Sequence, residues 1–176
     1  FTIAAIFVLA GSAAAEEFTW ISTVVGAPWP NENNWTPTGV PGANDTAVID
    51  MPGQVVLVVG VPNNLVPTVG NLDVTNGSTL DFGRLNIDAT PEQNNGSIKN
   101  DGVIRFPDGG ILTIRSGPAT LHGEGEILMA VPANPDKKGT EANFIRGQFA
   151  GAQLINRQKI HGTGVIEVDL VNTAPL

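Results

Sequence analysis

The amino-acid sequence predicts an all-β fold wound as a parallel β-helix, in which short strands stack into coils along one axis. Residues 121–127 (LHGEGEI) return at 160–166 as IHGTGVI, an offset of 39 residues. Repetition at such a spacing is typical of chains whose successive coils pack only against their neighbours. The 21 Gly and 13 Pro disfavour long helices, and the Val, Ile and Leu residues stand mostly in short runs that favour strands.

The spacing of these runs favours one of two all-β architectures. Many runs are only three or four residues long and recur about every six to eight residues, as at 72–74, 80–82 and 85–87. Sandwich strands normally recur about every eight to twelve residues, so three short strands and three bends per coil describe the pattern better. The Asn-Gly and Asp-Gly pairs at 76–77 and 101–102 are hairpin signals, and an antiparallel β-sandwich is therefore the alternative.

Asn residues at the bends are candidates for coil corners. We predict that Asn76, Asn100 and Asn156 lie there, because an Asn side chain can hydrogen-bond to nearby backbone groups. The 39-residue repeat then corresponds to two coils, or to one coil with an inserted loop.

The chain begins with an uncharged apolar run at 1–9, which small residues and Glu16-Glu17 follow. This is the layout of a secretory signal with an A-x-A cleavage site. The run is too short to span a bilayer. We therefore interpret residues 1–15 as a signal-peptide-like segment and expect a secreted or cell-surface protein.

The remaining chain divides by composition. Residues 16–46 contain all three Trp and four of the Pro residues, which predicts an N-terminal cap rather than central strands. Residues 47–176 are assigned to β-helix coils, and we interpret the C-terminal end as a truncation. The polar stretch 132–143 has no apolar rhythm and is predicted to be a loop insertion.

The three Trp residues, Trp20, Trp29 and Trp35, have two interpretations. Large aromatic rings can cover the exposed end of a core. They can also form a platform that stacks on sugar rings or docks a partner, which makes them the candidate glycan- or partner-contact residues.

Charge and composition exclude some functions. With 9 basic and 17 acidic residues, the formal net charge is −8, which argues against a nucleic-acid partner because phosphates need a basic surface. The chain contains no Cys, so its stability depends on packing and hydrogen bonds rather than on disulfides.

Three stretches resemble bacterial secreted right-handed parallel β-helix repeat proteins, of the kind found in autotransporter passengers and cell-surface adhesins. They are the segment from Asn34-Trp35 to 45–49 (DTAVI), the segment 95–104 (NGSIKNDGVI), and the two His-Gly-x-Gly sequences. The resemblance spans about residues 34–170. It implies a right-handed β-helix outside the cell, with a structural or adhesive role and no catalytic residue.

The sequence contains no recognisable catalytic constellation. Glu124 and Glu126 could share an outer face with Arg105 or Arg115, which would resemble the acidic and basic groups of β-helix polysaccharide lyases, but we favour a solvated charged face as their explanation. Two His residues do not form a metal site without further ligands, and the recurrence of His in the repeat is explained by its position. We therefore predict no metal, no cofactor and no catalytic residue.

The sequence thus predicts an exported, non-enzymatic structural or adhesive segment that does not span the membrane. Its partners would be a second copy, because uncapped coil ends expose backbone donors and acceptors, or a cell-surface glycan or protein. A glycan-binding module or a polysaccharide lyase-like enzyme on the same scaffold is the alternative.

Overall fold

The computed structural model describes residues 14–58, 66–90, 96–107, 109–130 and 142–173 of the chain. A short 3-10 helix spans Glu32–Asn34. The strands within the described ranges are β1 (Glu17–Trp20), β2 (Trp35–Thr36), β3 (Thr46–Ile49), β4 (Val55–Val58), β5 (Thr68–Val69), β6 (Asn71–Val74), β7 (Thr79–Phe82), β8 (Arg84–Ile87), β9 (Ser97–Asn100), β10 (Val103–Phe106), β11 (Ile111–Ile114), β12 (Pro118–His122), β13 (Glu126–Met129), β14 (Asn143–Gly147), β15 (Gln153–Asn156), β16 (Lys159–Gly162), β17 (Gly164–Glu167) and β18 (Asp169–Asn172).

These strands form three sheets that run side by side along one axis. Sheet A has the order β18-β15-β12-β9-β6-β3-β1-β2, sheet B the order β16-β13-β10-β7-β4, and sheet C the order β17-β14-β11-β8-β5. From β3 onward, consecutive strands belong to sheets A, B and C in turn. The chain therefore passes once through each sheet per coil, and the coils stack into a solenoid-like arrangement.

Strand direction distinguishes the two predicted architectures. Among the described strands every pairing is parallel except that of β1 with β2. The prediction of an all-β chain with stacked parallel strands is confirmed, and the antiparallel sandwich is wrong. The Asn-Gly and Asp-Gly pairs are not hairpin turns: 76–77 and 101–102 are corners at which the chain leaves sheet A for sheet B.

Alternating side chains within each strand build the core. In sheet B, Leu80, Ile104 and Ile127 lie in register on successive coils, and each is at most 1% exposed. Phe82 and Phe106 lie beside them with ring centroids 4.9 Å apart. Because successive strand residues face opposite sides, the inward apolar residues form continuous stacks and the polar residues between them face outward.

Coil length varies although the register does not. From Leu72 to its partner Ile98 the separation is 26 residues, from Ala119 to Leu154 it is 35, and from Leu154 to Leu170 it is 16. The differences fall in the corners and loops, since the strands keep their pairing. A fixed sequence period is therefore not required for stacking.

The 39-residue repeat does not correspond to a coil or to two coils. His122 ends β12 in sheet A and pairs with Lys99, whereas His161 lies in β16 in sheet B and pairs with Leu128. The interpretation that the two His occupy equivalent positions in the repeat is wrong. What the two sequences share is a corner: each has a positive-φ glycine, Gly123 at 113° and Gly162 at 106°, before the next strand begins.

The N-terminal end of the solenoid is closed by the three Trp side chains. Trp20 and Trp29 approach Trp35 with ring centroids 4.9 and 4.6 Å away, both in edge-to-face geometry. One part of the predicted cap nevertheless belongs to the sheets, because β1 pairs in parallel with β3 and forms a rung of sheet A. Strand β2 then pairs antiparallel with β1 and ends that sheet.

Two predicted segments, 1–15 and 132–143, lie mostly outside the described ranges. Of the signal-like segment 1–15, the structure describes only the last two residues. Of the predicted insertion 132–143, it describes only the end. There Asn143 is buried within β14 rather than part of a polar loop, and its side chain donates to the carbonyl of Ala130 at 2.7 Å.

Candidate interaction surfaces

The candidate contact residues Trp20, Trp29 and Trp35 are 2%, 1% and 1% exposed. The indole nitrogen of Trp20 donates to the carbonyl of Ser22 at 2.9 Å, and that of Trp35 donates to the carbonyl of Trp29 at 3.0 Å. Because no ring presents a free face in this arrangement, the geometry favours the interpretation of these residues as a core cover. A sugar could stack on them only after the cap opens.

A groove of about 490 Å³ runs along the corner between sheets A and B, across several coils. It is lined by the acidic residues Asp101, Glu124 and Glu126 and, from the following coil, by the basic residues Arg157 and Lys159. The predicted acidic pair Glu124 and Glu126 is thus brought together with two cations that the sequence analysis did not select. No motif marks Arg157 or Lys159, since their placement depends on the 35-residue coil that precedes them.

Buried amides connect the coils beneath this groove. Asn100 is fully buried and donates to the carbonyl of Glu126 at 3.1 Å, while its own backbone carbonyl accepts from Gly125 N at 2.8 Å and from the side chain of Gln158. A Cβ at Gly123 would collide with the same carbonyl. Three coils thus meet at the backbone carbonyl of Asn100. The corner of the middle coil carries Gly123 and Gly125 because a Cβ at either position would collide with that carbonyl.

Asn156 continues this amide chain toward the C-terminal end. Its side chain accepts from Gln158 N at 3.1 Å and donates to the side chain of Asn172 at 2.9 Å. The prediction that Asn100 and Asn156 satisfy backbone groups at corners is confirmed. Asn76, by contrast, is an exposed turn residue before positive-φ Gly77.

The outer face of sheet A carries a ladder of charges. Lys99 Nζ lies 3.2 Å from Asp101 Oδ2 and 3.4 Å from Asp73 Oδ2. The hydrogen bond to Asp101, more than the charge of Asp73, raises the pKa of Lys99 above its ordinary value. The pKa of Asp101 is lowered, chiefly because Glu124 N donates to its carboxylate at 3.0 Å.

One pair on this face has the elements of a nucleophile and its base. Ser97 Oγ lies 2.9 Å from His122 Nε2 on the next coil. Acyl transfer also needs donors for a developing oxyanion, but the N–H of Ser97 donates to Asn71 Oδ1 at 2.9 Å and that of Thr120 to the carbonyl of Gly96 at 2.7 Å. We therefore interpret the pair as a polar link between coils.

The two arginines considered for a lyase-like site form ion pairs with other acidic residues. Arg105 forms a bidentate pair with Asp81 on the same face of sheet B, with Nη2 2.6 Å from Oδ2, and this hydrogen bonding raises the pKa of Arg105. Arg115 lies at the corner after β11, 3.6 Å from Asp88. Arg105 and Glu126 do share the outer face of sheet B on neighbouring coils, because Val103 pairs with Glu126, but the guanidinium of Arg105 is held by Asp81.

The C-terminal end of the solenoid presents a different surface, which we call the terminal coil: strands β16, β17 and β18. It is the last rung of all three sheets. Its inward side chains border a concave opening of about 320 Å³, in which Ile166 is 37% and Leu170 40% exposed. Their partners one coil earlier, Ile145 and Leu154, are fully buried.

Sequence reasoning did not identify these end residues, because Ile166 and Leu170 follow the same alternation as core residues. Only the topology shows that nothing described in the structure stacks on them.

No helix in the described part of the chain is long and apolar enough to cross a membrane. Within the described ranges, no group of three or more His, Asp or Glu side chains is placed to hold a metal ion.

Comparison with known proteins gives no relative. No protein-family model, no curated protein and no solved structure matches this chain. The function must therefore be argued from the fold and its surfaces.

Proposed function

We propose that this chain is a right-handed parallel β-helix that serves outside the cell as a rigid structural or adhesive segment. The observation that supports this most strongly is the unbroken register of three parallel sheets from the Trp-covered end to the terminal coil. Export is supported by the signal-like layout of residues 1–15.

The stacked sheets make such a body stiff. Each coil is held to the next by backbone ladders in three directions and by inward stacks such as Leu80, Ile104 and Ile127. Buried amides add cross-coil hydrogen bonds at the corners, as between Asn100 and Gln158. Because the strands of each coil pair only with those of the adjacent coils, the outer faces can carry varied side chains without altering the axis.

Two measurements test the structural role together. Small-angle X-ray scattering of the chain should give an elongated particle with a folded core. Incubation with a panel of neutral and acidic polysaccharides, with Ca²⁺ present, should release no reducing ends or unsaturated products. Turnover of any polysaccharide by the folded chain would contradict a purely structural role.

The groove at the corner of sheets A and B supports a second candidate, glycan binding. Its mixture of carboxylates with Arg157 and Lys159 suits hydrogen bonding to hydroxyl and carboxylate groups of an extended glycan. A glycan array should then show binding that Arg157→Ala weakens. Arg84→Ala, which removes an exposed arginine from sheet C outside the groove, is the matched control. Equal loss in both variants, or no binding, would exclude the groove as a glycan site.

A further inference from the structure

We propose that the corner formed by Asn76 and Gly77 is a site of spontaneous deamidation, at which the side-chain amide of Asn76 is replaced by a carboxylate. Asparagine is a thermolabile residue, and the reaction is fastest where glycine follows it because glycine has no Cβ. It needs only this corner and water, so it goes beyond the proposed function.

The reaction joins two neighbouring groups of the chain. The backbone nitrogen of Gly77 loses its proton to the solvent and forms a bond to Cγ of Asn76. The bond from Cγ to Nδ2 then breaks, and ammonia leaves. Water opens the resulting succinimide ring at either of its carbonyls, which gives aspartate or isoaspartate. The net change is the hydrolysis of one amide, with no oxidation or reduction.

The fold presents this corner to water. Asn76 and Gly77 are both exposed. They are the central residues of a turn that the N–H of Ser78 closes by donating to the carbonyl of Thr75 at 3.0 Å. Gly77 has a φ of 82°. Solvent and base therefore reach the attacking nitrogen, and no Cβ of residue 77 hinders its approach to the amide.

The N–H of Gly77 is available for the reaction. Within the described ranges the carbonyl of Gly77 accepts from Gly53 N at 2.8 Å, but the N–H of Gly77 donates to no group. Asn100 differs on both counts. It is fully buried, and the N–H of Asp101, which follows it, donates to the carbonyl of Val74 at 2.8 Å.

The second Asn-Gly sequence of the chain, at 95–96, provides a matched comparison, because both sequences read Asn-Gly-Ser. Gly96 is buried, and its N–H donates to the carbonyl of Gly70 at 2.9 Å. This hydrogen bond must break before the nitrogen can attack. In the folded chain, deamidation should therefore be about tenfold slower at Asn95 than at Asn76.

The product changes the charge of the groove between sheets A and B. Asn76 lines that groove together with Asp101, Glu124 and Glu126. Both products carry a carboxylate where the amide was, so each modified chain gains one negative charge at this corner.

Isoaspartate also changes the backbone, because the side-chain methylene becomes part of the main chain and lengthens the corner. Hydrogen bonds to two coils flank the site: Thr75 N donates to the carbonyl of Ile49 at 3.0 Å, and Val103 N donates to the carbonyl of Ser78 at 3.0 Å. A longer corner disturbs both contacts. Isoaspartate at position 76 should therefore lower the unfolding temperature, whereas Asn76→Asp should leave it near that of the fresh chain.

Ageing of the whole folded chain at mildly alkaline pH tests the site. The chain is incubated in heavy-oxygen water, which labels each carboxylate that forms during ageing. Digestion with pepsin in acid, where the imide forms slowly, is followed by tandem mass spectrometry. Label should appear first at position 76, with a rate at position 95 that is about tenfold lower. Isoaspartyl methyltransferase then distinguishes isoaspartate from aspartate.

Denaturation and two matched variants are the controls. In guanidinium chloride the two Asn-Gly sequences should react at similar rates, because neither N–H is then held by the fold. Asn76→Ser should abolish the early acidic species in isoelectric focusing of the aged chain. Asn95→Ser, which alters the second sequence in the same way, should leave that species in place.

Two results overturn the proposal. In one, Asn76 keeps its amide in the folded chain although it reacts in the denatured chain. In the other, Asn95 reacts as fast as Asn76 while the chain is folded. Isoaspartate at position 76 with an unchanged unfolding temperature would overturn the effect assigned to the longer corner. None of these results bears on the structural role, which scattering and polysaccharide turnover decide.

Discussion

The two ends of the solenoid contain similar strands but opposite surfaces. At the N-terminal end, Trp20, Trp29 and Trp35 cover the stacks and are themselves at most 2% exposed. At the C-terminal end, Leu170 continues the stack of Leu154, yet it is 40% exposed where Leu154 is fully buried. The same residue type in the same register thus differs in burial because, among the described residues, only Leu154 has a coil stacked on each side.

This difference shows that core formation in the molecule depends on neighbours rather than on a closed interior. Each inward residue is buried by the coil below and the coil above, as expected for a chain with nearest-neighbour stability. The variants below test how different the two ends are, from the largest expected effect to the smallest.

Removal of the cover should have the largest effect. Trp35→Ala should lower the free energy of unfolding by about 3–5 kcal/mol, because it opens a cavity among three packed indoles at the end of the core. Chemical denaturation measures this change. Thr36→Ala, at the exposed neighbour in β2, is the control and should cost less than about 0.5 kcal/mol.

Matched leucines compare the interior with the open end directly. Leu154→Ala should cost about 2–5 kcal/mol, whereas Leu170→Ala should cost less than about 1.5 kcal/mol because much of its side chain is already exposed. Chemical denaturation compares the two variants. Equal costs would contradict the difference in burial between the two leucines.

The corner glycines test how closely the coils approach. Gly123→Ala should cost about 2–3 kcal/mol, since the residue has a φ of 113° and its Cβ would collide with the carbonyl of Asn100. Gly151 has a φ of 83° with nothing within 4 Å of its Cβ position. Gly151→Ala should therefore cost only about 1 kcal/mol for its backbone conformation. Similar losses in thermal melts would contradict the role assigned to close coil contact.

The smallest effect is expected from Asp101 and depends on pH. Its pKa is lowered in the folded chain, chiefly by the N–H of Glu124, so its stabilising contribution is present above about pH 4 and is lost as the pH falls through the lowered pKa. Asp101→Asn should cost less than about 1 kcal/mol at neutral pH, and the difference from the parent chain should shrink in acid. A difference that grows below pH 4 would have the wrong sign.

Much of the fold could be predicted from the sequence because short alternating runs encode strands directly. Runs such as 80–82 and 85–87 became strands with buried inward residues as predicted, and Asn100 and Asn156 became corner residues. Strand direction could be predicted only through strand length and spacing, because the Asn-Gly and Asp-Gly pairs suit both a hairpin and a coil corner. The spacing proved the more reliable signal.

Other features could not be predicted because they depend on register. The His-Gly repeat suggested equivalent positions in two coils. The two sequences instead form corners in different sheets, each with its own positive-φ glycine, so their similarity does not give the length of a coil. Arg157 and Lys159 line the same groove as Glu124 only because a long coil separates them in sequence. The burial of the Trp residues was one of two open interpretations, since sequence shows ring size but not which side of a ring is covered.

All three Trp residues of the chain lie at the cap, so tryptophan fluorescence reports unfolding at that end of the solenoid. Ultraviolet emission senses only the capped extremity, whereas far-ultraviolet ellipticity averages over the β-strands along the whole axis. If unfolding begins at the terminal coil, ellipticity should begin to decline while the emission maximum stays blue. Coincident curves would instead indicate that the coils melt as one cooperative body.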